Sequence, residues 1–230
     1  MTMPTSDQQK CMSKKRVLVI ADTHIPWEHP DYLEFCKEAY DEYKCDKVVH
    51  IGDLVDAYGF SAYEKSPDSI STNQELSLVE EKLKEWSKVF KNVTVTTGNH
   101  THRAVRKLVG SGLPRRLWPS YNEIFSVPKT WKFVPEVEID KVLYTHGEKG
   151  DARKICLNNQ MSTVSGHFHT KMGIEYYTNH HGKKIWGMQV GTGIDFDAYV
   201  FDYARNHKTP QLGAGIVIEG TQPIIVPFNN

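Results

Sequence analysis

Five short apolar runs in this sequence end abruptly in side chains that can bind metal ions. The runs are RVLVI, KVVHI, VTVTT, KVLYT and STVS, and the donors that follow them are Asp22, His24, Asp53, Asn99, His146, His167 and His169. Carboxylate, amide and imidazole groups are costly to bury without partners, so their place directly after apolar runs must be explained by the fold. A chain of this kind has to bring several strand ends together.

The first half of the chain alternates predicted strands with predicted helices. Val17 to Ala21 has the apolar run of a buried strand, and residues 31–44 and 74–90 carry apolar side chains at helical spacing. This alternation predicts a βαβ sheet, in which parallel strands place their carboxyl ends along one edge. Ligands bind at that edge.

The second half, after Arg116, is predicted to be mostly sheet. Short β-like runs are separated by turn residues such as HHG at 180–182, and one helix is expected near Asp151 to Gln160. Because no repeat or low-complexity linker separates the halves, we expect them to pack as the two sheets of one sandwich. Residues 1–13 are predicted to be a disordered tail and residues 14–230 a single domain.

Charge and cysteine content exclude several classes of protein. Lys+Arg and Asp+Glu both number 28, so binding of a polyanion has to come from a local patch. The four cysteines contain no CxxC pair, which argues against a zinc knuckle or a disulfide framework. No apolar run approaches the ~18 residues of a membrane span, and the N-terminus lacks the apolar core of a secretory signal. We therefore expect a cytoplasmic protein without membrane association.

If the strand ends converge, their donors suit a pair of divalent metal ions. Two ions about 3.5–4 Å apart repel each other and need a shared carboxylate, while imidazoles suit first-row transition metals. Alternation along an extended strand places His167 and His169 on the same side. Glycines beside Asp53, Asn99, His146 and His167 allow the backbone to turn sharply and to approach an ion or a phosphate closely.

The order of these motifs resembles that of a known family. The blocks DTH, GDLVD, GNH, HG and GHFH, between residues 22 and 169, match the pattern DxH, GDxxD, GNH, HG and GHxH of the calcineurin-like metallophosphoesterase superfamily. One block alone is weak support, but five in order, each closing a predicted strand, are a strong match. The resemblance implies an α/β fold, a four-layered α/β/β/α sandwich, and hydrolysis of phosphoesters.

The resemblance also implies a role for each residue of the motifs. One metal ion would be bound by Asp22, His24 and His169, the other by Asn99, His146 and His167, and Asp53 would bridge them. His100 would contact the scissile phosphate and assist the leaving oxygen, and Asp56 would hold the far ring nitrogen of His100. A hydroxide between the ions would attack phosphorus in line with the leaving group. Mn²⁺ is the expected metal, with Fe²⁺, Zn²⁺, Ni²⁺ or Mg²⁺ as alternatives.

Two positions depart from the family pattern. Thr101 stands where the family usually has an acid, and Ala57 stands where protein serine/threonine phosphatases have an arginine. Two interpretations of Arg103 stay open: it supplies the missing cation at a helix start, or it is an ordinary surface arginine.

The substrate is the least determined part of the prediction. Residues 102–116 carry five Lys or Arg and no acid, which suits a nucleotide or nucleic-acid backbone but is more often a solvated helix face. The aromatic residues of the loop 58–63 either stack on a base or form a small core of their own. We expect a hydrolase of phosphoesters with a slight preference for phosphodiester, nucleotide or nucleic-acid substrates. A phosphomonoesterase and a non-catalytic scaffold on this fold are the alternatives, and nothing indicates an oligomeric state.

Overall fold

The computed structural model describes residues 15–62, 64–198 and 209–229. The predicted tail, residues 1–13, and Tyr63 of the aromatic loop lie outside the described residues. The helices and strands follow in the order β1 (Arg16–Ile20), α1 (Tyr32–Glu42), β2 (Lys47–His50), α2 (Thr72–Val89), β3 (Val93–Thr96), α3 (Arg103–Gly110), α4 (Tyr121–Ile124), β4 (Lys132–Val134), β5 (Glu136–Ile139), β6 (Val142–Thr145), α5 (Ala152–Asn159), β7 (Ser162–Ser165), β8 (Gly173–Thr178), β9 (Lys184–Gln189), β10 (Gly213–Ile218) and β11 (Gln222–Pro227).

The strands form two sheets, with the orders β11-β10-β1-β2-β3-β4 and β5-β6-β7-β9-β8. Strands β1 to β4 are parallel, and β10 pairs antiparallel with β1. The expectation that each half of the chain forms its own sheet is therefore wrong, because β4, β10 and β11 come from the second half. Without β10, the buried strand β1 would be an edge strand with unpaired backbone groups, and its pairing with β10 removes that exposure.

Alternation along β1 explains the layered core. Val17 and Val19 face the second sheet and pack with Tyr144 and Val164. Leu18 and Ile20 point to the opposite side of β1 and face α1 and α2. Each such buried aliphatic side chain stabilises the fold by about 1.5–3 kcal/mol. Helix α5 packs on β7 and β9, so two sheets are flanked by helices, and the expected four-layered α/β/β/α architecture is confirmed.

The helices differ from the prediction at the start of α2 and in two short elements that were not predicted. Helix α2 begins two residues before the predicted Gln74, because Ser71 and Gln74 form a capping box. Helix α4 was not predicted, although Ser120 and Glu123 form the same motif. A short 3₁₀ turn at Arg115–Leu117 was also missed.

The register of the strands places the loops that carry the motifs at one end of the molecule. Ile20 pairs with His50, and His50 pairs with Val95, so β1, β2 and β3 end together. In the second sheet, Thr145 pairs with Ser165, so β6 and β7 also end together. Among the described residues, no helix combines the length and the apolar character needed to cross a membrane.

Candidate metal centre

The backbone of neighbouring loops fixes one oxygen of each of the two aspartates at the ends of β1 and β2. Oδ2 of Asp22 accepts a hydrogen bond from the N–H of His167 at 2.9 Å, and Oδ1 of Asp53 accepts one from the N–H of His100 at 2.8 Å. Both aspartates are buried, and both have a positive φ, 48° for Asp22 and 44° for Asp53. Their other oxygens, Asp22 Oδ1 and Asp53 Oδ2, therefore point towards the surrounding imidazoles.

The first donor cluster contains Asp22, His24 and His169. Nε2 of His169 lies 3.2 Å from Nε2 of His24 and 3.5 Å from Oδ1 of Asp22. Nδ1 of His24 lies 2.8 Å from Oδ1 of Asp56, a carboxylate that can only accept, so His24 carries its proton there and turns the lone pair of Nε2 to the cluster. One ligand atom from each residue lies within 4.8 Å of the others, which is close enough to share an ion.

The second donor cluster is arranged around His146. Its Nε2 atom lies 3.1 Å from Asp53 Oδ2, 3.1 Å from Asn99 Oδ1 and 3.2 Å from His167 Nδ1. Its Nδ1 atom lies 3.0 Å from the carbonyl oxygen of Ile51 and donates to it, which leaves the Nε2 lone pair for the cluster.

Asp53 lies at the junction of the two clusters. Its Oδ2 atom is 3.1 Å from Nε2 of His146 and 3.9 Å from Nε2 of His24. The structure thus brings all seven residues predicted as ligands into two adjacent groups, with one carboxylate oxygen between them.

Two glycines of the motifs lie directly against the aspartates. A Cβ atom built on Gly98 would overlap Oδ1 of Asp53, and one built on Gly166 would overlap Oδ2 of Asp22. The sequence suggested that these glycines make room for an ion or a phosphate. The structure shows that they make room for the carboxylates themselves, which could not lie this close to any residue with a side chain.

The electrostatic environment of the buried aspartates favours bound cations. Burial alone would raise the pKa of Asp53, but the imidazoles of His146, His100 and His24 outweigh burial and hold that pKa well below its usual range. Burial would likewise lower the pKa of His146, yet the Asp53 carboxylate raises it to about 9. Oδ1 of Asp22 is buried, and within the described part of the chain no hydrogen bond reaches it. Cations between these groups would satisfy all three, so the residues present fit a metal centre.

His100 lies beside the clusters and is held by Asp56. Oδ1 of Asp56 is 2.8 Å from Nδ1 of His100, the contact that the family pattern implied. Arg103, at the start of α3, donates from Nη1 to the carbonyl oxygen of Asp56 at 3.1 Å and to its Oδ2 at 3.2 Å. Its Nη2 lies 3.2 Å from Nε2 of His100. Burial opposes the ionised form of Asp56, but its hydrogen bonds to His100 and His24 hold its pKa below the usual range.

Three features of the site were missed from the sequence. Asp56 holds His24 as well as His100. Glu75, buried in the first turn of α2, accepts hydrogen bonds from the N–H groups of Tyr58 at 2.7 Å and Gly59 at 2.6 Å, and so fixes the loop after GDLVD. His50, for which burial lowers the pKa to about 3, lies with Nε2 3.0 Å from the hydroxyl of Thr23. The apolar run around His50 was the available signal that this imidazole is buried and neutral.

The basic run and the aromatic loop have different surroundings. Arg106, Lys107, Arg115 and Arg116 are exposed. Tyr58 is half-buried in a small cluster around Ile194, and Phe60 packs against the main core. For the described part of the loop, this packing favours a small core over a free stacking surface.

A family model and a curated protein match most of this chain. The family model described as calcineurin-like phosphoesterase matches residues 15–201. The Gene 54 protein of Mycobacterium phage L5 is 27% identical over 218 residues, covering 77% of this chain and 78% of that protein.

Two solved structures resemble the fold more distantly. One is YfcE, a phosphoesterase from E. coli, with 14% identity and a TM-score of 0.43, covering 92% of this chain and 99% of that one. The other is a dimetal phosphatase from Danio rerio, with 10% identity and a TM-score of 0.43, covering 94% of this chain and 99% of that one. Likeness at this level says nothing about the activity of this chain.

Proposed function

The chain belongs to the calcineurin-like phosphoesterase family, and from this membership and the geometry of its site we propose that it is a dinuclear metal-dependent hydrolase of phosphoesters. The observation that carries the proposal is the position of Asp53 Oδ2, 3.1 Å from His146 Nε2 in one donor cluster and 3.9 Å from His24 Nε2 in the other. A carboxylate shared in this way is what two neighbouring cations require.

The ligands divide between the two ions as the clusters do. Asp22, His24 and His169 would hold the first ion, Asn99, His146 and His167 would hold the second, and Asp53 would contact both. Two divalent ions bound there supply Lewis acidity towards a phosphoryl group and lower the pKa of water. The mixture of imidazole, carboxylate and amide donors suits Mn²⁺, with Fe²⁺, Zn²⁺, Ni²⁺ and Mg²⁺ as alternatives.

His100 is placed to assist the leaving group. Because its Nδ1 proton is donated to Asp56, its Nε2 atom faces away from the core and towards Arg103. Because a guanidinium can only donate, Nε2 accepts in this contact, and it would carry a proton to the departing oxygen once a bound phosphate takes up the Arg103 donor. Asp56 keeps the ring in this orientation and stabilises the charged imidazole.

Arg103 would supply a cation in place of the arginine that protein serine/threonine phosphatases have where this chain has Ala57. Its guanidinium is anchored on Asp56 through Nη1, while Nη2 reaches the Nε2 side of His100. A phosphate oxygen next to His100 would lie within reach of Nη2, and a guanidinium is well suited to such an oxygen. This favours a role in the site over that of a solvated surface arginine, since the side chain of Arg103 is only 12% exposed.

We propose a phosphodiester as the preferred substrate class, with a phosphomonoester as the alternative. A non-catalytic scaffold on the same fold is less well supported, because the seven donors and His100 are all present and converge. The cytoplasm, where thiols stay reduced, is the proposed location. It agrees with the three buried cysteines that remain unpaired among the described residues, Cys36, Cys45 and Cys156.

Hydrolysis of two model substrates tests the proposal. Metal-stripped protein is reloaded with Mn²⁺ and assayed with bis(4-nitrophenyl) phosphate and with 4-nitrophenyl phosphate. His100→Ala should lower kcat for the diester about 10²- to 10⁴-fold. His102→Ala is the matched control, because His102 is exposed and contacts the hydroxyl of Tyr121 outside the clusters. Cleavage of the monoester alone would favour the phosphatase alternative, and no cleavage with any of the metals would favour the scaffold.

A further inference from the structure

We propose that a single strand of nucleic acid binds along a basic surface beside the site, so that its phosphodiester bonds reach the metal centre. This surface, called here the α3 surface, consists of Arg106, Lys107, Arg115 and Arg116. The inference rests on the proposed function and deepens it, because it assigns the substrate class.

The α3 surface begins at the metal centre. Arg106 donates from Nη2 to the carbonyl oxygen of Asn99, one of the proposed ligands, at 3.3 Å. Arg106 and Lys107 lie three and four residues after Arg103, so the three cations share one side of α3. A strand with one phosphate at His100 therefore meets further cations in the direction of α3.

The remaining cations belong to a segment whose two ends are held together next to His100. Helix α3 is followed by a glycine-containing turn and by the 3₁₀ turn Arg115–Leu117, and α4 then brings the chain back. Nδ1 of His102 lies 2.6 Å from the hydroxyl of Tyr121, which joins the start of the segment to its end. Arg115 and Arg116 thus belong to a segment whose two ends are joined close to His100.

The charge of the α3 surface is not neutralised by the protein. All four side chains are exposed, and none of them forms an ion pair with another described residue. From residue 102 to residue 122 there is no acid, although the rest of the chain has more acids than bases. An ordinary solvated helix face usually intersperses acids with bases, whereas an uninterrupted cationic stretch complements a chain of phosphates.

The same segment also exposes apolar side chains. Val109 is 56% exposed, Leu113 is 47% exposed and Leu117 is 61% exposed, and these three are half of the large hydrophobic side chains that are exposed in the described structure. Surfaces that bind single strands combine cations for the backbone with a platform for unstacked bases, most often an aromatic one. Here the exposed aliphatic side chains of the segment would form that platform. A base-paired duplex would not present its bases to them, so a single strand is the better match.

Binding of a fluorescent single-stranded oligonucleotide tests the inference. The measurement uses Mn²⁺-loaded protein carrying His100→Ala, so that the oligonucleotide stays intact, and compares it with the same protein carrying Arg115→Gln and Arg116→Gln. Removal of two phosphate contacts should weaken binding about tenfold or more at low salt and reduce the slope of log K against log salt by about 1.4. Hydrolysis of bis(4-nitrophenyl) phosphate by the Arg115→Gln, Arg116→Gln protein with His100 intact should be unchanged.

The matched control is the pair Lys183→Gln and Lys184→Gln. These exposed lysines lie at the start of β9, whereas Gly187 and Gln189 further along β9 pair with β7 close to the site. The charge change is the same, but it lies at the opposite end of the second sheet. Oligonucleotide affinity and salt slope should not change in this control.

Three outcomes would overturn the inference: equal effects of the two pairs, no binding of the oligonucleotide, or binding of phosphatidylserine vesicles in place of the oligonucleotide. The last would make the α3 surface a membrane-binding surface. The proposed function is judged separately, by whether the protein with His100 intact cleaves bis(4-nitrophenyl) phosphate. Oligonucleotide binding that depends on Arg115 and Arg116 in a protein without this activity would support the surface and refute the proposed diesterase.

Discussion

Oδ1 of Asp56 lies 2.8 Å from Nδ1 of His100, and the same oxygen lies 2.8 Å from Nδ1 of His24. One buried carboxylate therefore orients both a proposed metal ligand and the group proposed to assist departure of the leaving oxygen. Asp56 is in turn held by Arg103 through its other oxygen. In the proposed function, this arrangement would make metal binding and proton transfer dependent on the same residue.

Asp56→Asn should impair metal binding as well as turnover. The amide cannot carry the negative charge that both imidazoles require, so we expect metal affinity and kcat each to fall about 10- to 100-fold. Metal content after dialysis against a weak chelator, together with kcat, would measure the two effects. His100→Ala is the comparison, because it should lower kcat and leave the metal content intact. Normal metal retention in Asp56→Asn would contradict the coupling of His24 to Asp56.

Arg103→Ala should weaken the handling of the phosphate without emptying the metal centre. Loss of a charge-assisted contact worth about 1.5–3 kcal/mol predicts a 10- to 100-fold fall in kcat/KM. Arg103→Lys should restore little, because an ammonium cannot contact Asp56 and a phosphate oxygen with the fork geometry of a guanidinium. Steady-state kinetics on bis(4-nitrophenyl) phosphate would show this. Lys183→Ala is the control, because this exposed lysine lies before β9, away from the site, and it should behave as wild type on this small substrate. An equal loss in both variants would refute a specific role for Arg103.

Gly98→Ala should disrupt the metal centre by displacing the carboxylate of Asp53. The added Cβ would overlap Oδ1 of Asp53, so the carboxylate must move away from both donor clusters. We expect loss of one or both metals and of activity. Gly173→Ala, where a Cβ would meet nothing within 4 Å, should have no such effect. Titration with Mn²⁺ followed by calorimetry would compare them, and two bound ions in Gly98→Ala would show that Asp53 need not stay in place.

Stability of the metal-free protein should depend on the protonation of His146. Its pKa rises from 6.5 to about 9 in the fold, because the attraction of Asp53 exceeds the effect of burial. A raised pKa stabilises the fold at pH values below 6.5, and this stabilisation is lost as pH rises through about 9. The loss should amount to at most about 3 kcal/mol.

Urea unfolding at a series of pH values, with chelator present, would measure this change in the free energy of unfolding. His146→Gln should lack the slope between pH 6.5 and about 9. With excess Mn²⁺ the free energy of unfolding should rise with pH instead of falling, because the metal competes with the proton for Nε2 of His146. A metal-free wild type whose stability does not fall over this range would show that His146 is not charged beside Asp53.

The sequence predicted the features that depend on residues close together in the chain. The strand ends and the convergence of their donors could be predicted because each motif directly follows an apolar run, and parallel strands end together. The division of the donors into two sets came from the resemblance to the family. The return of β10 to β1 could not be predicted, since pairing between distant strands depends on which edges stay open after the rest has folded. The contact of Asp56 with His24 depends on how the loops after β1 and β2 lie against each other. The position of Glu75 could not be predicted, since it depends on how the loop after β2 lies against the start of α2.

The most direct test of the central claim is the number of metal ions bound by wild type and by Asp53→Asn, measured by elemental analysis after loading with Mn²⁺, in parallel with hydrolysis of bis(4-nitrophenyl) phosphate. Because Asp53 Oδ2 lies between the two clusters, wild type should bind two ions and hydrolyse the diester, whereas Asp53→Asn should bind fewer than two and be inactive. Two ions in Asp53→Asn with undiminished hydrolysis would contradict a shared carboxylate. A single ion in an active wild type would contradict the dinuclear centre.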